Sequence, residues 1–420
     1  MAKKSQKQID RDEQLYQLIT LVAGSFTLQE VLDKLAAAAV RMVGVKACSI
    51  RLLDEDSGDL AMRSTYGLSE EYRSKGPVTK EDPVVKAAFA GEAVVLDDMR
   101  LDDRVKYKQA TVREGLVSQL TVAMKFRGKA IGVLRLYSPR PKQFDEDDIV
   151  FARAVASHCA VAITNARLYA EAIEGARIAE QMRLAGIIQR RMIPQEPPRI
   201  AGLDIAATYI PCFEVGGDHY SFFPVSQTQI VVSISDVIGK GLPAAMMMSC
   251  FRGAVQAYTE SGHGKEQNTK EIIIRLNRMA CSECRDGEFI SFFYGLVDSG
   301  RREITYCNCG HEPTLLMRAG QTSDLEKGGL VLGVDPEAEY EIGTVSLNAG
   351  DCLLFYTDGL IDTADFEGRL WGRERMIEAA QKSMDGPAER MLNSILGYRR
   401  RFMGLASQCD DTSIIVVKIE

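Results

Sequence analysis

The chain has 420 residues, more than one ordinary core accommodates, so two or three domains are expected. Hydrophobic residues at 46% and charged residues at 26% are typical of globular proteins, and a net charge of −7 argues against a general nucleic-acid binder. No apolar stretch approaches the length of a bilayer span, and the basic start Met-Ala-Lys-Lys lacks the apolar core of a secretory signal.

The expectation is therefore a cytoplasmic protein with neither membrane nor nucleic acid as partner. Its ten cysteines should be reduced and partly buried. The basic run Arg399-Arg400-Arg401 reads as a solvated helix face.

Residues 1–14 read as a tail. Helical patterns run from Leu15 to Thr20 and from Leu28 to Met42. Ala47 to Gly67 then alternates as strand, turn at Asp56-Ser57-Gly58 and strand, and Ser118 to Ser138 repeats the design around Arg127-Gly128-Lys129. A long helix begins near Phe144, where Asp145 to Asp148 complement the positive end of a helix dipole. Strand pairs between an entry and an exit helix indicate an α+β domain over 15–163. The run from Lys125 to Tyr169 resembles the second half of a GAF domain, a module that senses small molecules or partners through an antiparallel sheet with helices. Its ligand is not assigned, because the Asn-Lys element of the cyclic-nucleotide binders is missing.

The exit helix continues to Ile193, where Pro194 and Pro197-Pro198 stop it. That is roughly 70 Å of helix at 1.5 Å per residue. Ala162, Ala166, Tyr169, Ile173 and Ala176 keep the four-three spacing of a coiled-coil seam, which slips at Glu180 and Arg183. Residues 164–196 read as a signalling helix of a homodimer, the other reading being a lone amphipathic helix lying on one domain.

After Pro198 the texture changes to buried strands with Gly-rich turns. Carboxylates stand at strand ends in "VGGDHYSFF" (Asp218), "VVSISDVIGKG" (Asp236), "LLFYTDGL" (Asp358) and "CDDTSIIVV" (Asp410-Asp411). Gathered together they would repel one another unless cations neutralised them, and hard oxygen donors at that density suit Mg²⁺ or Mn²⁺. Two glycines before Asp218 mark a tight backbone path. No Ser-His-Asp or Cys-His motif competes with this acidic set.

In this order, "IIQRRMIPQEPP", "PCFEVGGDHYSFF", "SDVIGKGLPAAMMM", "CGHEPTLL", "FYTDGLIDT" and "CDDTSIIVV" resemble the SpoIIE-like branch of the metal-dependent (type-2C, PPM) serine/threonine phosphatases over 197–420. The resemblance implies an α/β/β/α sandwich and two Mn²⁺ or Mg²⁺ ions. Asp236 would bridge them with the Val237 carbonyl as a further ligand, Asp218 would hold one ion, and Asp358 and Asp410 the other. A water shared by the ions would attack phosphorus in line. The substrate implied is a phosphoserine or phosphothreonine on a partner protein, commonly a STAS-type anti-sigma-factor antagonist, under control of the GAF domain.

The chain departs from the family at Ser221, where many relatives have a second Asp, and at Ile238, where the wider family has a His proposed as general acid. His311 is a candidate for that role or a structural histidine. His219 either touches the metal site or points outward. Two rival readings remain: a GGDEF-type cyclase, against which this chain lacks Glu-Phe after Gly216-Gly217-Asp218, and a catalytically silent phosphatase-like scaffold. Finally, strands at Phe289 to Val297 and Glu303 to Cys309 form a hairpin. If Asp298 faces Arg301, Cys281, Cys284, Cys307 and Cys309 approach one another, as a zinc site or as plain reduced core thiols.

Overall fold

The structure, a computed structural model, describes residues 27–141, 143–261 and 268–420. The helical pattern expected over Leu15 to Thr20 lies outside the described residues. The chain divides into two compact units, one ending at Ala176 and one running from Arg177 to Glu420.

In the first unit, helix α1 (Leu28–Val43) starts on a capping box: Thr27 N–H donates to Glu30 Oε2 at 2.9 Å, while Glu30 N–H points back at Thr27 Oγ1. It ends where Gly44 turns left-handed at φ 70°. Strands β1 (Ala47–Leu53) and β2 (Leu60–Tyr66) form the first hairpin, followed by helices α2 (Glu70–Arg73) and α3 (Pro83–Ala90), strand β3 (Val94–Leu96) and helix α4 (Lys108–Arg113). Strands β4 (Ser118–Phe126) and β5 (Lys129–Ser138) form the second hairpin, whose turn residues Arg127 and Gly128 both have positive φ, as a tight two-residue turn demands. The sheet order is β2-β1-β5-β4-β3. One face packs Cys48, Ile50, Leu120, Val122, Leu134 and Leu136 against α1 and the start of a long helix, α5 (Glu146–Met192). The other face lies under α2 and α3.

By length and composition alone, a window of α5 would pass as a bilayer span, contrary to the expectation that no stretch comes near one. The apolar residues responsible, Phe151, Val155, Ala156, Cys159 and Ile163 among them, belong to the core of the first unit, and an all-round apolar composition is what a core helix needs. Ala162, expected to open the coiled-coil seam, is also in that core. Further along the same helix Tyr169, Ile173, Ile178, Leu184 and Ile188 are exposed.

The second unit is a sandwich of two sheets. Strands β6 (Leu203–Ile210), β7 (His219–Pro224) and β8 (Gln229–Val237) are followed by helices α6 (Leu242–Ser261) and α7 (Thr269–Glu283). Then come strands β9 (Ile290–Asp298), β10 (Glu303–Cys309), β11 (Thr314–Arg318), β12 (Gln321–Leu325), β13 (Gly328–Gly329), β14 (Gly343–Ser346) and β15 (Cys352–Tyr356). Helices α8 (Asp358–Ile361), α9 (Gly372–Gln381) and α10 (Ala388–Met403) precede the last strand, β16 (Thr412–Ile419). One sheet runs β13-β10-β9-β8-β7 with β14 on β10, the other β12-β11-β15-β16-β6.

Alternation along each strand feeds two cores at once. Tyr220, Phe222, Val232, Ile234 and Phe293 meet Leu353, Phe355, Ile415 and Val417 between the sheets. Val231, Phe292 and Tyr294 pack outward under α6 and α7, and Leu354, Tyr356, Ile414 and Val416 pack outward under α9 and α10. The layers are thus α/β/β/α.

The β9–β10 hairpin has a different register from the one considered above. Asp298 faces Glu303, and Cys309 faces Phe292, so four residues (299–302) make the connection. Asp298 fixes that longer turn by accepting from Arg301 N–H at 2.9 Å. Cys307 and Cys309 share one strand face with sulfurs 3.9 Å apart, whereas Cys281 Sγ lies toward Asn277 Oδ1 at 3.7 Å. All ten cysteines are free thiols.

Candidate active site

Antiparallel pairing brings the carboxylates to one end of the sandwich. The start of β7 lies beside the end of β8, since His219 pairs with Ser235, so Asp218 and Asp236 are neighbours in the first sheet. The end of β15 lies beside the start of β16, Tyr356 pairing with Ile414, which does the same for Asp358 and Asp410-Asp411 in the second. Asp218 joins the two pairs. It is buried, and its Oδ2 accepts from Thr357 Oγ1 at 2.6 Å and from Ser413 Oγ at 2.9 Å, both in the opposite sheet.

The electrostatics follow from this crowding. Burial and then the Asp236 charge push the Asp218 carboxyl well above its ordinary value, against the two hydroxyl donors. Asp236 is pushed up to about 7 by burial, then by Asp358 and Asp410. Asp358 is raised by burial and then by Asp410. Asp410 is paired with Lys240, whose Nζ lies 2.7 Å from its Oδ2. Among the described residues, no three His, Cys, Asp or Glu side chains already stand at ligating reach of one point. Asp218 is held by hydroxyls and Asp410 by an ammonium.

The glycines before Asp218 have a packing reason. A Cβ on Gly216 would lie 2.0 Å from Asp411 Oδ2 and 2.2 Å from the Tyr209 hydroxyl, and one on Gly217 would lie 2.8 Å from the Val237 carbonyl oxygen. Gly359 is just as confined, with its Cβ position 1.9 Å from Asp411 O.

Several residues outside the predicted set build the site. Asp411 accepts from Cys212 N–H and Gly217 N–H, each at 2.7 Å, and so anchors the loop that carries Asp218. Gln189, in the last turns of α5, closes on the same loop: its Nε2 donates to Gly216 O at 2.7 Å, and its Oε1 accepts from Gly216 N–H at 3.0 Å. Gly186, one turn earlier, lets the helix approach, since a Cβ there would lie 2.1 Å from Glu214 O. The Gln of "IIQRR" and the second Asp of "CDD" were in view as motif letters. Nothing in local periodicity says that they meet at Gly216 and Gly217.

The two histidines are both buried. His219 does not point outward: its Nε2 lies 2.6 Å from Ser221 Oγ, and burial pushes its pKa down to about 3. His311 Nδ1 lies 2.8 Å from Ser291 Oγ, its Nε2 has no hydrogen-bond partner among the described residues, and burial pushes its pKa down to about 4. A neutral His311 is a poor proton donor near pH 7. Ile238 is exposed at the rim.

A two-sheet sandwich with helix pairs on both faces and aspartates gathered at one end is the architecture of the PP2C class of phosphatases. Residues 226–420 match the model of the stage II sporulation protein E (SpoIIE) family, and residues 26–164 match a GAF domain model. The phosphoserine phosphatase RsbU of Bacillus subtilis (strain 168) is 28% identical over 243 residues, which are 57% of this chain and 70% of that protein. Protein IcfG of Synechocystis sp. is 26% identical over 254 residues, 55% of this chain but 40% of that protein. The SiaA-PP2C domain of Pseudomonas aeruginosa shares the fold, with a TM-score of 0.52 at 19% identity over 59% of this chain and 99% of that one. The chain therefore carries a GAF domain followed by a SpoIIE-type phosphatase domain of the metal-dependent PP2C class.

Proposed function

We propose that the chain is a signalling phosphatase that removes phosphate from phosphoserine or phosphothreonine on a partner protein. The observation that carries this reading is the gathering of Asp218, Asp236, Asp358 and Asp410 at one end of the sandwich. Burial first, and then the charge of a neighbouring aspartate, pushes three of the four carboxyls up in pKa. Divalent cations relieve such repulsion, and an all-oxygen donor set that includes the Val237 carbonyl beside Gly217 fits Mn²⁺ or Mg²⁺. In this reading Asp236, Asp218, Asp358 and Asp410 would hold two ions, with Asp236 contributing to both, Asp218 to one, and Asp358 and Asp410 to the other. Bound there, the ions would supply Lewis acidity to a water and to the phosphoryl oxygens.

The chain's own residues supply the rest. Thr357 and Ser413 orient Asp218, Asp411 and Gln189 fix its loop, and Lys240 balances Asp410 until a cation takes that carboxylate. A protein substrate is supported by the apolar rim, where Phe213, Ile238, Leu242 and Met246 are exposed on loops and a helix start that also carry site residues. Similarity to RsbU favours a phosphoserine, and the family resemblance favours a STAS-type antagonist as its bearer. The exposed residues of α5 from Tyr169 to Ile188 support a cytoplasmic homodimer that passes GAF state to the Asp218 loop through Gln189.

Hydrolysis of a generic phosphate ester with Mn²⁺ separates this enzyme from a silent scaffold, which gives no metal-dependent turnover. Capture of a phosphorylated partner by Asp358→Asn then identifies the substrate. Recovery of no phosphoprotein from cells that contain it would contradict the proposed substrate class.

A further inference from the structure

The face of the GAF sheet turned away from α1 and α5 carries charge where a core should carry carbon. Neighbouring strands β1, β5 and β4 set Ser49, Arg135 and Thr121 abreast, and Arg51 lies two residues along β1 on the same face. Arg51 is 4% exposed and Arg135 6%. Arg51 spends one nitrogen on the Leu60 carbonyl at 3.0 Å, and the Nε atoms of both arginines have no partner among the described residues. Lys75 joins them from above, its Nζ 3.4 Å from the centre of the Tyr72 ring.

Four basic side chains, Lys75, Arg104, Lys106 and Arg135, line one site with Arg51 behind it; among the described residues Asp82 is the lining carboxylate, and it is already engaged with Thr79 N–H. Arg104, also at the wall, is paired with Asp102 at 2.7 Å. Burial and then the two arginines push the Lys75 ammonium down to about 6. Arg135, Lys75, Tyr72, Gln119 and Thr111 line a cavity of about 40 Å³, room for about three waters.

A buried guanidinium costs free energy unless paired, and its planar fork matches carboxylate and phosphate oxygens. We infer that the GAF domain binds a small oxyanion, a carboxylate or phosphate group on a compact ligand, against Arg135 and Lys75 with Arg51 behind them. The inference does not depend on what the second domain hydrolyses.

The test uses the full chain with metal chelated, at constant ionic strength. Inorganic phosphate, acetate and succinate are each titrated against chloride while Tm and heat of binding are recorded, which separates a phosphate ligand from a carboxylate one. At least one probe should raise Tm saturably, and Arg135→Met should weaken it by about thirtyfold or more, the cost of removing one partner of a buried charge pair. In chloride, Arg135→Met should melt no lower than the native chain, because it removes an unpaired buried cation. Lys75→Met, at a half-exposed position, repeats the test if Arg135→Met folds poorly. The inference is overturned if no probe exceeds chloride, or if both variants respond as the native chain does. It is equally overturned if Asp236→Ala alone abolishes the response, which would place the anion at the aspartates.

Discussion

Gln189 is where the long helix touches the loop that carries Asp218, and Gln189→Leu removes that contact with little change of volume. The native amide satisfies both polar groups of Gly216, at 2.7 and 3.0 Å, in a buried setting. Leucine leaves one N–H and one C=O without partners, each costing about 1–3 kcal/mol, so the variant should lose about 2–6 kcal/mol. A sandwich of this size should then melt lower by roughly 4 °C or more. Part of the penalty is escaped if the loop opens to water, and an opened loop displaces Asp218. Turnover on a phosphate ester should therefore fall together with Tm, while Gln189→Glu, which keeps the acceptor but loses the donor, should be impaired as well. Calorimetry and a Mn²⁺-dependent rate assay on the same samples decide it. A leucine variant with native Tm and native turnover would refute the role given to Gln189.

Three further outcomes are expected. Gly359→Ala should cost about 1–3 kcal/mol by overpacking and should suppress hydrolysis, since its Cβ would press on Asp411 O and on Asp410; chemical unfolding with a parallel rate assay checks both. Removing four residues around Glu180 should rotate one domain against the other by about 40°, at 100° per residue, and alter basal activity, whereas deletions of three, four and seven residues that behave alike would make α5 a tether. Lys75 holds its proton to about 6 in the fold and to about 10.4 in the unfolded chain, so between those values the unfolded state binds more protons and stability rises with pH. Burial, then Arg135 and Arg51, depress it and Glu114 and Asp82 oppose them; Lys75→Met should flatten that rise in Tm against pH, and an unchanged slope would contradict it.

Much of the fold is legible locally. The two GAF hairpins, the acidic start of α5 and the aspartates at the ends of β8 and β15 follow from alternation, turn residues and helix-dipole complementarity, each within a few residues. What was missed depends on contacts between distant segments. Asp411 anchors Gly217 across 194 residues and Gln189 reaches Gly216 across 27, and no periodicity records either. Ser299-Gly300 reads as a two-residue turn, but the Asp298 side chain stabilises a longer one and so shifts the β9–β10 register. The spacing that puts Ala162 on a coiled-coil seam equally suits a helix packed on a sheet, which is where Ala162 lies.

The most direct test of the account is calorimetric titration of Mn²⁺ into the full chain and into Asp236→Ala, with phosphate-ester hydrolysis measured on both. The native chain should take up two ions and become active. The variant removes the shared ligand, and it should lose tight binding and turnover while melting no lower than the chelated native chain, because carboxylate repulsion is relieved. Native stoichiometry and turnover in Asp236→Ala would contradict the assignment of this acidic end as the dimetal phosphatase centre.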